Sequence, residues 1–267
     1  MTQPPDNILS EWALWGLTQP PKAIEAVHGG LTNANFLIEC DSGQLLLRLN
    51  NNGQSLGIER TAELKVHTLL SQHGLSPTIR YTAPDHRYWV REYVQGRPLS
   101  QGEITDRDMK DIATTLKQIH QLPAPEGTPR LDVKASCLTY LNAIDNRSNK
   151  FDSQLAIELT TLRTAVDKIQ PLPESEACLC HMDPLPANWV RDNTGKLWLL
   201  DLEYACVAHP SLDFAALALQ LPDAARKAWT ALLPESIRGH MEIASEQIAL
   251  LDRTWRLAHT AEKDPSL

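Results

Sequence analysis

Long apolar runs are missing from this 267-residue chain; none approaches the roughly 20 residues that a membrane-spanning helix needs. Basic charge is also short. Lys and Arg total 25 against 33 Asp and Glu, a formal net charge of -8. That balance argues against nucleic acid or an anionic membrane surface as the main partner, because both select basic patches. Met1 to Asn7 is polar and Pro-rich and has no basic start followed by an apolar core, so no secretory signal is read there. Cysteine is sparse and odd in number, five scattered residues, which reads as reduced thiols and not a disulfide framework. The expected compartment is therefore the cytoplasm. No internal repeat or low-complexity tract appears, and the length suits one large domain or two lobes.

What is present concentrates in residues 178 to 204. His181, Asp183 and Asn188 form a His-x-Asp-x-x-x-x-Asn pattern, and Asp201 closes an apolar run, Leu197 to Leu200. Asp192-Asn193-Thr194-Gly195 lies between apolar flanks and predicts a tight hairpin. A hairpin returns the chain to its start, so Asn188 and Asp201 are expected side by side. One amide and two carboxylates gathered together can handle a substrate hydroxyl and a magnesium nucleotide, as phosphoryl transfer requires. Cys178, Cys180, Cys206 and His209 offer zinc-type ligands, but only one residue separates the first two. Their apolar, strand-like surroundings read instead as buried thiols.

Elsewhere, residues 8 to 18 read as a short amphipathic helix stopped by Pro20-Pro21. Val27 to Glu39 reads as strand, loop, strand around Gly29-Gly30-Leu31-Thr32-Asn33. A turn at Asp41 to Gly43 and a third strand, Leu45 to Leu49, follow. Arg48 falls inside that strand, where a buried guanidinium needs an acidic partner. Glu59 and Glu63 are the candidates on the next helix, roughly Ile58 to His73. Two strands follow, Ile79 to Tyr81 and Arg87 to Val94. Apolar spacing then predicts helices over 106–122, 131–144, 155–169, 212–221, 224–233 and 241–259. The change of pattern marks a boundary near residue 96. His120, at the end of its stripe, reads as a packed or capping residue. Asp213 stands before a helical run and reads by preference as its N-cap, with bracing of the site as the alternative.

The 178–204 segment resembles the catalytic and metal-binding loops of protein-kinase-like phosphotransferases that act on small molecules: aminoglycoside phosphotransferases, choline kinases and thiamine kinases. The resemblance implies an α+β, protein-kinase-like two-lobed fold. Its small antiparallel-sheet N-lobe would cover 1–95, and its mostly helical C-lobe 96–267. It implies that Asp183 orients or deprotonates the acceptor hydroxyl, with His181 bracing the catalytic loop. Asn188 and Asp201 would hold Mg2+, and Glu203 a second metal or the substrate. The loop of Gly29, Gly30, Thr32 and Asn33 is similar to the nucleotide loop of choline-kinase-like proteins, where backbone amides approach phosphates. Arg48 stands where protein kinases carry lysine, and the family's helix glutamate aligns with Glu63. Glu92 to Pro98 resembles the hinge, with backbone groups of Glu92 and Val94 facing the adenine edge and Gly96 relaxing the connection.

The implied cofactors are ATP and Mg2+. The implied substrate is a small alcohol, thiamine or choline by preference, with aminoglycosides or sugars as alternatives. Tyr204, Trp229, Trp255 and Glu203 are available to a cationic group, although Trp255 reads as core. Pro184, Leu185 and Ala187 depart from the usual loop residues, which leaves room for a nucleotide-binding pseudokinase acting through a partner.

Overall fold

The computed structural model describes residues 3–27, 33–50, 57–145 and 153–263. In chain order the elements begin with α1 (Asp6–Leu9), β1 (Ala23–Val27), β2 (Ala34–Cys40), β3 (Gly43–Leu49) and α2 (Arg60–Gln72). Then come β4 (Ile79–Thr82), β5 (Tyr88–Glu92), β6 (Gly96–Pro98), α3 (Asp106–His120), α4 (Val133–Asp145) and α5 (Ser153–Asp167). β7 (Cys178–Cys180), β8 (Trp189–Asp192), β9 (Leu197–Leu199) and β10 (Cys206–Ala208) precede the last helices. These are α6 (Ser211–Ala218), α7 (Asp223–Leu232), α8 (Glu235–Arg238) and α9 (Met241–Lys263). Among the described residues no helix is long and apolar enough to cross a membrane.

The chain forms two compact units: residues 1–103 with 187–203, and residues 104–186 with 204–267. Residues 187–203 thus group with the sheet-rich unit, because β8 pairs with β6 on one side and β9 on the other. Gly96 has a packing role there. A Cβ on it would lie 2.2 Å from the carbonyl oxygen of Arg191, so its small size permits the β6–β8 approach. The loosening role expected of it is replaced by strand pairing.

In the first unit an antiparallel sheet runs β1-β2-β3-β5-β4. Side chains alternate across it. Phe36, Ile38, Leu45, Leu47, Tyr88 and Val90 bury one face together with Ile8 and Trp15. The opposite alternation puts Arg48, Trp89 and Arg91 together on the other face. Trp89 carries the guanidinium of Arg48 at 5.0 Å and meets the ring of His67, on α2, edge-on at 5.9 Å. The helix expected over residues 8–18 is instead α1 followed by a single 3-10 turn, Trp12–Trp15, which ends at Gly16 with φ of 79°. Only a left-handed residue reverses the chain there, and its glycine lets Trp15 bury against Tyr88.

The second unit is helical. α9 packs on α4, α5 and α6. α6 is buried at every position, as expected of a helix apolar all round. β7 and β10 pair antiparallel, Cys178 with Ala208 and Cys180 with Cys206.

Candidate active site

In the first unit the site grows from Arg48, in the centre strand β3 and 3 % exposed. Facing α2, its guanidinium reaches Glu63 at 2.9 Å, Asp201 at 3.0 Å and Glu203 at 3.1 Å. Glu63 is the partner and Glu59 is not, because α2 starts at Arg60 and its first turn points Glu63 at the sheet. Burial works against the charge on Arg48, but the three carboxylates outweigh it and raise the group above its ordinary value.

Arg60 was not singled out from sequence, although it stands one helical turn before Glu63. It bonds Glu63 at 2.8 Å, Glu203 at 3.1 Å and the side-chain oxygen of Asn33 at 3.0 Å. Asn33 in turn donates to Glu203 at 2.8 Å. Two guanidinium groups against three carboxylates leave one net negative charge in this cluster.

The β8–β9 hairpin delivers Asp201. Trp189 pairs with Leu199, so Asn188 lies opposite Leu200, whose N–H donates to the Asn188 carbonyl at 2.8 Å. Asp201 is the next residue, and it adopts a left-handed φ of 58°. Asp192 holds the turn by accepting from Thr194, Lys196 and the Trp198 indole, which pulls its carboxyl down to about 2. Asp201 behaves oppositely. Burial, then the Glu203 and Glu63 carboxylates, raise it to about 6 against the pull of Arg48 and Arg60. Oxygen atoms of Glu63, Asp201 and Glu203 all lie within 4.8 Å of one another. Three carboxylates crowded at one place suit a hard divalent cation with oxygen preference, which fits Mg2+.

Gly29, Gly30 and Thr32 lie outside the described residues. At the far end of β5, the Glu92 N–H donates to Thr78, its carbonyl accepts from Arg91 at 2.8 Å, and its side chain pairs with Arg80. Val94 is half-buried between β5 and β6.

The second unit carries His181 and Asp183. His181 is buried, and its Nδ1 accepts the backbone N–H of Asp183 at 3.1 Å, so the imidazole braces the loop. Met182 between them has φ of 67°, a conformation that costs about 1–3 kcal/mol and persists only where its surroundings impose it. Asp213 imposes it, accepting from the backbone N–H groups of His181 at 3.0 Å and Met182 at 2.7 Å. This corrects the reading of Asp213 as an N-cap. It is the third residue of α6, whose N-cap position is Pro210. His120 likewise is no cap: its Nε2 lies 2.9 Å from the Asp213 carboxylate. Burial alone would raise that carboxyl, but His120, His181 and the N–H donors outweigh it and hold it below the usual range.

Ala187 raises no strain, since the described non-glycine residues with positive φ are His86, Met182 and Asp201. The cysteines separate from His209. Cys180 is buried opposite Cys206 and bonds the Ala208 carbonyl, whereas His209 turns to Glu176 and Ser211.

Trp229 is fully buried, with its indole N–H on the Phe214 carbonyl, and so is core. Trp255, expected in the core, is half-buried instead. The His259 ring stacks on it at 4.0 Å, and Tyr204 meets it edge-on and accepts its N–H at 3.1 Å.

The sequence profile of choline/ethanolamine kinases matches residues 24–220. A probable choline kinase of Arabidopsis thaliana is 22 % identical over 207 residues, 73 % of this chain and 58 % of that protein. Ethanolamine kinase 1 of Mus musculus is 26 % identical over 196 residues, 66 % of this chain and 52 % of its own length. This chain therefore spans less than two thirds of those curated relatives. A crystal structure of a choline kinase from Streptococcus pneumoniae superposes with a TM-score of 0.76 at 18 % identity, covering 97 % of this chain and 92 % of that one. That likeness bears on the fold, which is protein-kinase-like.

Proposed function

This chain belongs to the choline/ethanolamine kinase family, and from that premise we propose that it moves the γ-phosphoryl group of ATP to the hydroxyl of a small cationic alcohol. The observation that carries the reading is the cluster of buried Arg48, Glu63 and Glu203 with Asp201 at its edge and Arg60 against it. Asn188, Asp201 and Glu203 are the residues that would hold Mg2+. When bound, the ion supplies neutralisation of the charge on the nucleotide phosphates. Arg48 has the charge to bind those phosphates, and the backbone of Glu92 and Val94 would face the adenine edge. Asp183 takes the proton of the attacking hydroxyl as the new O–P bond forms, and the bond to the ADP leaving group breaks. His181 and Asp213 keep the Asp183 backbone in place for that step. Positioning and electrostatics carry most of such a reaction.

The family favours choline or ethanolamine over thiamine. The aromatic group of Tyr204, Trp255 and His259 supports a cationic acceptor, since ammonium groups bind over aromatic faces. These rings share a unit with Asp183. Arg256, beside Trp255, feels Asp183 after its main partner Asp252, which puts the loop near that helix. Asp252 holds Arg256 through both carboxylate oxygens, at 2.9 and 2.8 Å, and so offsets its charge.

A coupled ADP-release screen over choline, ethanolamine, thiamine, amino sugars and aminoglycosides tests the assignment. Turnover with choline or ethanolamine well above the others is expected. Turnover confined to sugars or aminoglycosides, or to none, would overturn it.

A further inference from the structure

A second cluster of ligand-type side chains lies wholly within the helical unit and plays no part in the chemistry above. The β7–β10 register creates it. Cys178 stands opposite Ala208, so the strand ends carrying Glu176, two residues before β7, and His209, just after β10, lie close together. The Nε2 of His209 lies 3.3 Å from a Glu176 carboxylate oxygen. The third member is His240, at the junction of α8 and α9. Its backbone is fixed by donation to Ile237 and acceptance from Ala244. The two imidazole centroids are 4.8 Å apart. One ligand atom from each of the three residues lies within 4.8 Å of the others.

We propose that Glu176, His209 and His240 bind one divalent transition-metal ion, Zn2+ by preference. Two imidazoles and one carboxylate are the donor set of three-ligand zinc sites that keep a fourth position open, whereas Mg2+ favours oxygen ligands. Zn2+ bonded at about 2.0–2.1 Å sets tetrahedral ligands roughly 3.4 Å apart; Glu176 and His209 already stand so. The Nε2 of His240 is buried and has no hydrogen-bond partner. Such a group costs stability unless something satisfies it, and a metal ion does. His209 is 4 % exposed, and Ser211 holds its ring, with the hydroxyl 2.7 Å from Nδ1 and the backbone N–H donating to Nδ1 at 3.3 Å. Contacts of that kind set the orientation of a ligating imidazole. The Glu176 side chain, 45 % exposed, gives the ion a way in from solvent.

The test is titration of the full chain with Zn2+ in excess Mg2+, which occupies hard oxygen sites, followed by Co2+ substitution. One ion per chain is expected, with a dissociation constant at or below about 1 µM. His240→Ala and Glu176→Gln should each weaken binding by about 10–100-fold or more, and phosphotransfer in Mg2+ should be unchanged. The Co2+ spectrum of the wild-type chain should show tetrahedral ligand-field bands without a thiolate charge-transfer band. This readout needs no variant to fold. Absence of stoichiometric binding, full retention in His240→Ala, or a thiolate band placing the ion on Cys178 and Cys180 would each overturn the proposal.

Discussion

Replacing Arg48 with Met removes the cation that three carboxylates share. The Glu63 and Glu203 side chains are 5 % and 3 % exposed, so neither recovers its hydration when the guanidinium goes. Breaking a buried pair by deleting one member costs about 3–5 kcal/mol, against about 0.2–1 kcal/mol for exposed pairs. Arg60 stays on both glutamates, and Asp201 is partly solvated, with a side chain 37 % exposed. These two facts place the loss at the lower end, about 3 kcal/mol. At about 2–4 °C per kcal/mol that is a fall in Tm of roughly 6–12 °C. The cluster charge goes from one net negative to two, so a carboxylate pKa rises and the folded variant takes up a proton. Its deficit relative to wild type should therefore shrink as pH falls from 7 to 5. Adding Glu63→Leu should return at least about 1 kcal/mol, because an apolar pair replaces an orphaned charge. Urea denaturation of the three proteins at two pH values measures all of this. A single-variant loss below about 1 kcal/mol, independent of pH, would refute the reasoning.

Asp183→Ala should lower turnover by about 10²–10⁴-fold with nucleotide affinity nearly unchanged; near-normal turnover contradicts its role. His67, on α2, donates its Nε2–H to the Pro77 carbonyl at 2.8 Å and is lowered to about 4, mainly by burial. Between the unfolded value near 6.5 and that value, the unfolded chain binds the extra proton. Stability is thus full above pH 6.5 and should fall by about 3 kcal/mol on acidification to pH 4; His67→Gln should remove that slope, and equal slopes would contradict it. Gly96→Ala pushes a methyl group against the Arg191 carbonyl and should cost about 1–3 kcal/mol in chemical denaturation; a neutral result would show that β6 and β8 can separate freely.

The hairpin from Asn188 to Asp201 was legible because turn chemistry and apolar flanks fix its register. For Arg48, a buried strand cation demanded a carboxylate from the next helix, which left Glu59 and Glu63, and the family resemblance chose Glu63. The rest depended on contacts between residues remote in sequence. Nothing local in Asp213 tells an N-cap from a carboxylate that grips the loop holding His181; both are Asp near a helix start. Arg60 gave no signal beyond its spacing, since an arginine at a helix start usually faces water. Trp255 sits in an apolar stretch of α9, and only the packing of Tyr204 and His259 against it sets its partial exposure. The helix read at residues 8–18 failed because amphipathic spacing does not register a left-handed Gly16.

The central claim is that the carboxylate cluster of the sheet-rich unit takes a magnesium nucleotide, and calorimetric titration of ATP with Mg2+ present or chelated tests it most directly. Wild type should bind ATP at least about tenfold more tightly with the ion, a difference of about 1.4 kcal/mol, and Asp201→Asn should lose most of that difference. ATP affinity indifferent to Mg2+, or a full Mg2+ effect in Asp201→Asn, would contradict it.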